Sequence, residues 1–369
     1  NNRHAGQEQT VMDMTGVLDH LRNLVSFDTQ NPPRSLEADA AIFSYISDAL
    51  GGDFVIDIID HGLGRISMLA VRGKPTLLFN VHLDTVPVIE GSRFPALEMT
   101  RDGNRLYGRG CCDIKGAAAC LLQVAETTDG PMALLFTTDE EGASGICVAE
   151  FVRSEPSRVF KQVVVAEPTD CLAVLSHRGY LSVKGEFSGV SGHSSEPRAL
   201  QDNALHKLSN WVAAAVTEAA QMEAENRRPC FNVGEVHGGI KSNVIADRAK
   251  LHWSARLSPG DSNEDFLAKM TSLDTSGSGE WNVPFSGPPM PTGGNDTSKA
   301  QAFVERHGIE TGAAVDFWTE ASLFAQAGMP AIVLGPGNIA QAHVLDEWVS
   351  MEQLELALQI YTKLVNSHD

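Results

Sequence analysis

The chain has 369 residues, a hydrophobic fraction of 43% and a formal net charge of −19. That length suits two domains, or one large core carrying an insertion, and the apolar content is ample for both. The negative balance argues against nucleic acid and anionic membranes as partners, and most of the acidic residues read as solvated surface.

The polar start shows no secretory signal, and no apolar run approaches the roughly 20 residues that cross a bilayer. Residues 1–10 are expected to be disordered or extraneous to the fold. Of the six cysteines, Cys111, Cys112 and Cys120 crowd one segment, while Cys147, Cys171 and Cys230 are scattered. Without CxxC spacing or a disulfide framework they read as reduced thiols in a cytoplasmic protein.

Apolar spacing at Val17, Leu18, Leu21, Leu24 and Val25 predicts a helix over Met14–Phe27. A second is expected over Leu36–Leu50, stopped by Gly51-Gly52. Short strands follow at Phe54–Ile59, Ile66–Val71 and Thr76–Val81, then an Ala- and Leu-rich helix over Lys115–Thr127. The runs Met132–Phe136 and Gln162–Ala166 read as buried parallel strands. Alternating strand and helix to about residue 175 predicts an α/β fold: a mixed, mostly parallel sheet flanked by helices.

The pattern changes near Ser176. Alternation over Tyr180–Phe187, a long helix over Ala199–Met222, strands at Phe231–Val236 and Ala249–Leu257, and a helix near Asn263–Thr271 read as a separate α+β module. Ser272–Pro291, rich in Ser, Gly and Pro, reads as the return linker. The α/β pattern resumes at Ala331–Leu334, and a last helix opens at the Ser350-Met351-Glu352-Gln353 capping box. Residues 11–176 and 288–369 are thus expected to form one discontinuous domain, with 177–287 inserted as a ferredoxin-like unit.

Five polar clusters stand where apolar runs end: His82-Leu83-Asp84, Cys112-Asp113, Asp139-Glu140-Glu141, Glu167-Pro168 and Ala342-His343. In open α/β sheets the chemistry gathers at the carboxyl ends of the strands. Two histidines and several carboxylates brought to one edge make a metal site, and hence a metal-dependent hydrolase.

The motifs carry a resemblance. His82-Leu83-Asp84-Thr85-Val86-Pro87, Gly108 to Gly116 and Asp139-Glu140-Glu141-Gly142 resemble the three signatures of the dinuclear zinc aminoacylase, acetylornithine deacetylase and glutamate carboxypeptidase family. Ala166-Glu167-Pro168-Thr169, Gly189 to Ser195 and Gly238 to Ile245 extend the likeness from about Leu18 to Val365. The resemblance implies two divalent metal ions, Zn2+ first and Co2+ as the alternative. His82, Asp113 and Glu167 would hold one, and Asp113, Glu141 and His343 the other. Asp84 would orient His82, Glu140 would be the general base, and the Asp113–Ile114 peptide would be cis.

The inserted unit would be a lid and homodimer surface, with His193 reaching the neighbouring subunit's site. Asn243, Arg256 and Glu320 would bind the substrate, a small N-acyl amino acid. His177 matches no metal position and is expected at the hinge. Phe317-Trp318-Thr319-Glu320-Ala321-Ser322 and Gly335-Pro336-Gly337 with Gln341-Ala342-His343 and Asp346-Glu347 resemble the acetylornithine deacetylases. The resemblance therefore implies deacetylation of N-acetylornithine, with N-acetylcitrulline as alternative because of the Phe317-Trp318 pair. A desuccinylase, a dipeptidase and a non-catalytic metal-binding relative stay open.

Overall fold

The computed structural model describes residues 13–32, 36–142, 144–292 and 297–367; the expectation for residues 1–10 lies outside them. The first part runs α1 (Thr15–Ser26), α2 (Ala41–Leu50), β1 (Val55–Asp60), β2 (Ile66–Arg72), β3 (Leu77–His82), β4 (Thr100–Asp102), β5 (Arg105–Tyr107), α3 (Lys115–Thr127), β6 (Met132–Thr137), α4 (Ile146–Arg153) and β7 (Gln162–Val165). Next come β8 (Tyr180–Ser188), α5 (Ala199–Asp202), α6 (Ala204–Ala224), β9 (Asn232–Gly238), β10 (Arg248–Ala255), α7 (Asn263–Thr271) and β11 (Gly279–Gly287). The last part holds α8 (Ser298–His307), α9 (Ala321–Gln326), β12 (Ala331–Val333), β13 (Trp348–Ser350) and α10 (Met351–Asn366).

The main sheet has the order β1-β2-β6-β3-β7-β12. The β1–β2 and β2–β6 pairs are antiparallel, and the β6–β3, β3–β7 and β7–β12 pairs are parallel. Successive side chains of the parallel strands enter different cores. Leu78, Leu135, Val163, Val165 and Val333 pack with Val148, Phe151 and Phe324 of α4 and α9. Phe79, Val81, Leu134, Phe136, Val164 and Ile332 pack with α1, α3 and α10. Burial on both faces explains why these strands read as continuous apolar runs. Gly116 lets α3 come close to the preceding loop: a β-carbon there would lie 2.4 Å from the Cys111 carbonyl oxygen.

The second sheet is antiparallel, in the order β11-β8-β10-β9. With α6 against β8, β9 and β10 and α7 against β11, its chain order is the split β-α-β-β-α-β unit. Its core is aromatic, built on Phe187, Trp211 and Trp253, and the Trp211 indole donates to the Met270 carbonyl at 2.9 Å. Where the chain leaves and re-enters the first unit, His177 and Met290 exchange backbone hydrogen bonds of 2.8 and 3.0 Å.

Three sequence expectations are corrected. The linker expected over Ser272–Pro291 contains β11. Its alternation was masked by Pro284, which lies where the pairing with β8 shifts register on an edge strand, a position that needs no backbone donor. The helix expected over Ala199–Met222 breaks at Asn203, whose side chain accepts from the Leu205 N–H at 2.9 Å and caps α6. The second helix starts at Ala41 rather than Leu36. All six cysteines are free, five of them buried. No helix among the described residues is long and apolar enough to cross a membrane.

Candidate metal centre

Three adjacent parallel strands, in the order β6-β3-β7, point their carboxyl ends at one edge. His82 is the last residue of β3, Asp139-Glu140-Glu141 follow β6, and Glu167 follows β7. Loops supply the rest: Asp113 just before α3, and His343 before β13. The Asp113–Ile114 peptide is cis, and His343 has φ of 56°.

His82 is buried, and its Nδ1 lies 2.9 Å from the main-chain oxygen of Asp84. A carbonyl only accepts, so Nδ1 carries a proton, and Nε2 is the nitrogen that faces the carboxylates. Nε2 lies 2.9 Å from Asp113 Oδ1 and 3.4 Å from Glu167 Oε1. His343 Nε2 lies 3.1 Å from Asp113 Oδ2 and 2.9 Å from Glu141 Oε1. In each of the sets His82–Asp113–Glu167 and Asp113–Glu141–His343, donor atoms lie within 4.8 Å of one another, and Asp113 belongs to both. His82, Glu140 and Glu141 form a third such set.

Four carboxylates in so small a volume repel. Burial and the charges of Glu141 and Glu167 push Glu140 well above the usual carboxylate range. Burial and Asp113 raise Glu141 to about 7, and the same two causes raise Glu167. Asp113 alone is held low, because hydrogen bonds from His343 and His82 outweigh its burial. Glu167 Oε1 is buried with no hydrogen-bond partner. An orphaned buried oxygen among crowded carboxylates, with imidazole Nε2 atoms facing them, suits divalent cations. Nitrogen and carboxylate donors of this kind match zinc and its neighbours in the first transition row.

The Asp84 carboxylate stands beside His82 but is not the nearest group to its Nδ1. Its Oδ1 is 3.5 Å from His82 Nδ1, farther than the residue's own carbonyl. Its Oδ2 accepts from Asn31 Nδ2 at 3.1 Å and from the Glu141 N–H at 3.0 Å. The carboxylate therefore anchors the loop carrying Glu141, and the carbonyl orients the histidine.

Glu320, expected to meet the substrate, lies at the end of β6. It is fully buried, and its Oε2 accepts from Thr137 Oγ1 at 2.9 Å. Burial and the neighbouring Asp139 charge raise it to about 8, so it is largely a neutral acid near pH 7. It lies beneath the β6 edge rather than open to a substrate.

The second unit contributes unevenly. Arg256 is half-buried, with its guanidinium 3.8 Å above the Tyr180 ring. Burial lowers its pKa against the fields of Tyr180 and Glu140. His193 and Asn243 are exposed on adjoining loops, where the Ser194 N–H donates to the Asn243 carbonyl at 3.1 Å. The His193 ring pairs with Ser195 Oγ at 2.8 Å and bonds to none of the clustered acids.

Sequence reasoning gave no role to Asn31, Thr137, Arg178 or Glu347. Arg178 braces both units: its guanidinium reaches Asp316, the carbonyls of Arg228 and Arg256, and Ser258 Oγ, at 2.6–3.1 Å. Beside it, buried His177 donates from Nδ1 to the Arg178 carbonyl at 2.8 Å and accepts at Nε2 from Thr319 Oγ1 at 3.1 Å. A histidine placed at a strand crossing was the available signal for this joint.

A catalytic-type sheet edge, a cluster of metal donors and a covering α+β unit define a metal-dependent hydrolase acting on amides. Over residues 78–367 the chain matches peptidase family M20/M25/M40, and it belongs to that family. It is 40% identical to the N-acetyl-L-citrulline deacetylase of Xanthomonas campestris pv. campestris, over 96% of this chain and 98% of that one. It is 31% identical to the acetylornithine deacetylase of Edwardsiella ictaluri, over 87% and 88% of the two chains. Its fold matches an M20 family metallo-carboxypeptidase from Sulfolobus solfataricus with a TM-score of 0.73, at 16% identity, over 96% of this chain and 99% of that one.

The joint at His177 makes a testable pH dependence. Burial lowers its pKa from 6.5 to about 4. The folded ring binds fewer protons than the unfolded one, so its contribution to stability is full above 6.5 and is lost as pH falls toward 4. At about pH 7.5, His177→Asn is expected to be less stable by about 1–3 kcal/mol from the lost hydrogen bonds. Thermal unfolding should show the gap to wild type narrowing as the pH is lowered to about 5. A gap that stays constant would refute the neutral buried histidine.

Proposed function

We propose that the chain is a dinuclear metal-dependent deacetylase of N-acetylated α-amino acids, with N-acetyl-L-citrulline as its preferred substrate. The observation that carries the reading is Asp113, shared between two donor sets with Glu140 alongside. His82, Asp113 and Glu167 would hold one ion, and Asp113, Glu141 and His343 the other, with zinc the first choice and cobalt the alternative. Bound there, a pair of divalent ions supplies a Lewis acid and lowers the pKa of water to about 7.

The chain's own groups do the rest. Glu140 takes a proton from the attacking water and returns it to the departing amide nitrogen. A carboxylate that is both base and acid needs a raised pKa, and the burial and like charges around Glu140 act in that direction. Arg256 accepts the substrate α-carboxylate, for which a planar guanidinium gives a bidentate match, and Asn243 donates alongside it. Residues 177–287 form the lid and the homodimer surface. His193, exposed and turned away from its own cluster, supplies an N–H to the developing oxyanion in the neighbouring subunit.

The order of substrates differs from the sequence reading, which put N-acetylornithine first. Two observations support the reversal. The identity of 40% to an acetylcitrulline deacetylase exceeds the 31% to an acetylornithine deacetylase. Glu320, the carboxylate expected to meet an ornithine ammonium, is buried and largely neutral. A neutral ureido group asks for no such counter-charge.

Zinc-loaded protein is expected to turn over N-acetyl-L-citrulline with a kcat/KM at least about tenfold above N-acetyl-L-ornithine, a difference of about 1.4 kcal/mol. Succinyl-diaminopimelate and a dipeptide should be poorer still. Glu140→Gln should lower kcat by about 10²–10⁴-fold while metal content stays near wild type. A preference for acetylornithine would remove the citrulline assignment and leave the deacetylase intact. Full activity of Glu140→Gln would remove the mechanism. For His193, mixing inactive His193→Ala with inactive Glu140→Gln protein should restore partial activity through hybrid dimers. Subunit exchange without recovery would contradict its action across the interface.

A further inference from the structure

Glu347 lies on the segment that carries His343, yet its carboxylate is buried against the segment that carries Asp113. Oε1 accepts from the N–H groups of Cys112 and Asp113, at 3.0 and 2.9 Å. Oε2 accepts from the Gly110 N–H at 2.9 Å and from Arg109 Nη1 at 2.7 Å. Arg109 in turn donates from Nη2 to the Val344 carbonyl at 3.4 Å, and the Gly108 N–H donates to the Glu347 carbonyl at 3.1 Å. The two segments are thus tied in both directions. Pairing of Trp348 with Tyr107 in β13 and β5 continues the tie beyond them.

The backbone is shaped for this anion. Gly108 and Gly110 have φ of 153° and 87°, in a loop whose Gly110, Cys112 and Asp113 N–H groups converge on one anion. A β-carbon at Gly110 would lie 2.9 Å from Lys115 Cδ and 3.0 Å from Thr85 Cγ2, so no other residue fits without displacement. A buried Arg–Glu pair whose only task was cohesion would not need both carboxylate oxygens on the peptide groups that lead into Asp113.

We propose that Glu347 is a positioning residue that fixes the separation of Asp113 from His343, and through it the set Asp113–Glu141–His343. The proposal rests on the dinuclear reading above. It is selective because His82 and Glu167 stand at or just beyond the ends of β3 and β7 and are held by the sheet. His343 is exposed and lies on a loop outside the sheet. Loss of the Glu347 anion leaves the sheet-borne set with two of its three donors in place. The set built on His343 loses the reference between its two loops.

Zinc titration by calorimetry, with zinc counted after dialysis, tests this on the intact protein. Wild type should bind two zinc ions per chain. Glu347→Gln turns an amide NH2 toward Arg109 and the Gly110 N–H, and should weaken one site by about 10–100-fold, the range for residues that orient metal ligands. The other site should stay within about threefold of wild type. His343→Ala, measured in parallel, should lose the same site. Glu347→Asp keeps the charge but falls one methylene short, and should give an intermediate loss at that site with the fold retained. If Glu347→Gln fails to fold, Glu347→Asp decides: selective weakening supports the proposal, and wild-type affinity at both sites overturns it. Equal weakening of both sites also overturns it. A wild-type chain that binds a single zinc ion removes the dinuclear reading itself, which the Glu347 variants then cannot rescue.

Discussion

Mutual repulsion of buried carboxylates is the constraint on which this structure turns. Asp113, Glu140, Glu141 and Glu167 converge on one sheet edge, where burial alone raises the cost of each charge. Opposite charge relieves that cost, and three arginines are engaged elsewhere: Arg109 on Glu347, Arg178 on Asp316, Arg256 over Tyr180. His82 and His343 meet the cluster with their Nε2 atoms. The arrangement suits divalent cations.

The surrounding fold keeps those groups from moving apart. Doubly buried strands fix His82, the β6 turn and Glu167 on a rigid frame. The remaining donors come from loops, and each loop is tied by an anion that is not in either donor set. Asp84 holds the backbone of Glu141, and Glu347 holds that of Asp113. At the far side, His177 and Arg178 lock the crossing between the units to the loop ending in Thr319 and Glu320. The crossing between the units and the β6 edge are therefore joined by hydrogen bonds, since Glu320 in turn accepts from Thr137.

Much of this was legible in the chain. Continuous apolar runs marked β3, β6 and β7 because both faces of those strands are buried, and the polar residues that follow such runs marked the site. The α+β insertion was legible from its change of periodicity, but its fourth strand was not, because Pro284 interrupts the alternation at an edge where the sheet tolerates it. The carbonyl of Asp84 was not legible for a different reason. A sequence shows side chains, and the contact that orients His82 is a backbone carbonyl. The charge state of Glu320 was not legible because burial, which bears on whether a carboxylate is charged, is a property of the packed molecule. Glu347 was visible as a motif residue, but its purpose depends on three peptide N–H groups whose convergence only the folded loop displays.

The central claim is that Asp113 bridges two cations. The most direct measurement is diffraction from crystals grown with zinc, with data collected on either side of the zinc absorption edge. The account predicts two anomalous peaks about 3.5–4 Å apart, the usual spacing in two-metal sites, one beside His82 and Glu167, the other beside Glu141 and His343, with an oxygen of Asp113 on each. A single peak, or two peaks that Asp113 does not join, would contradict it.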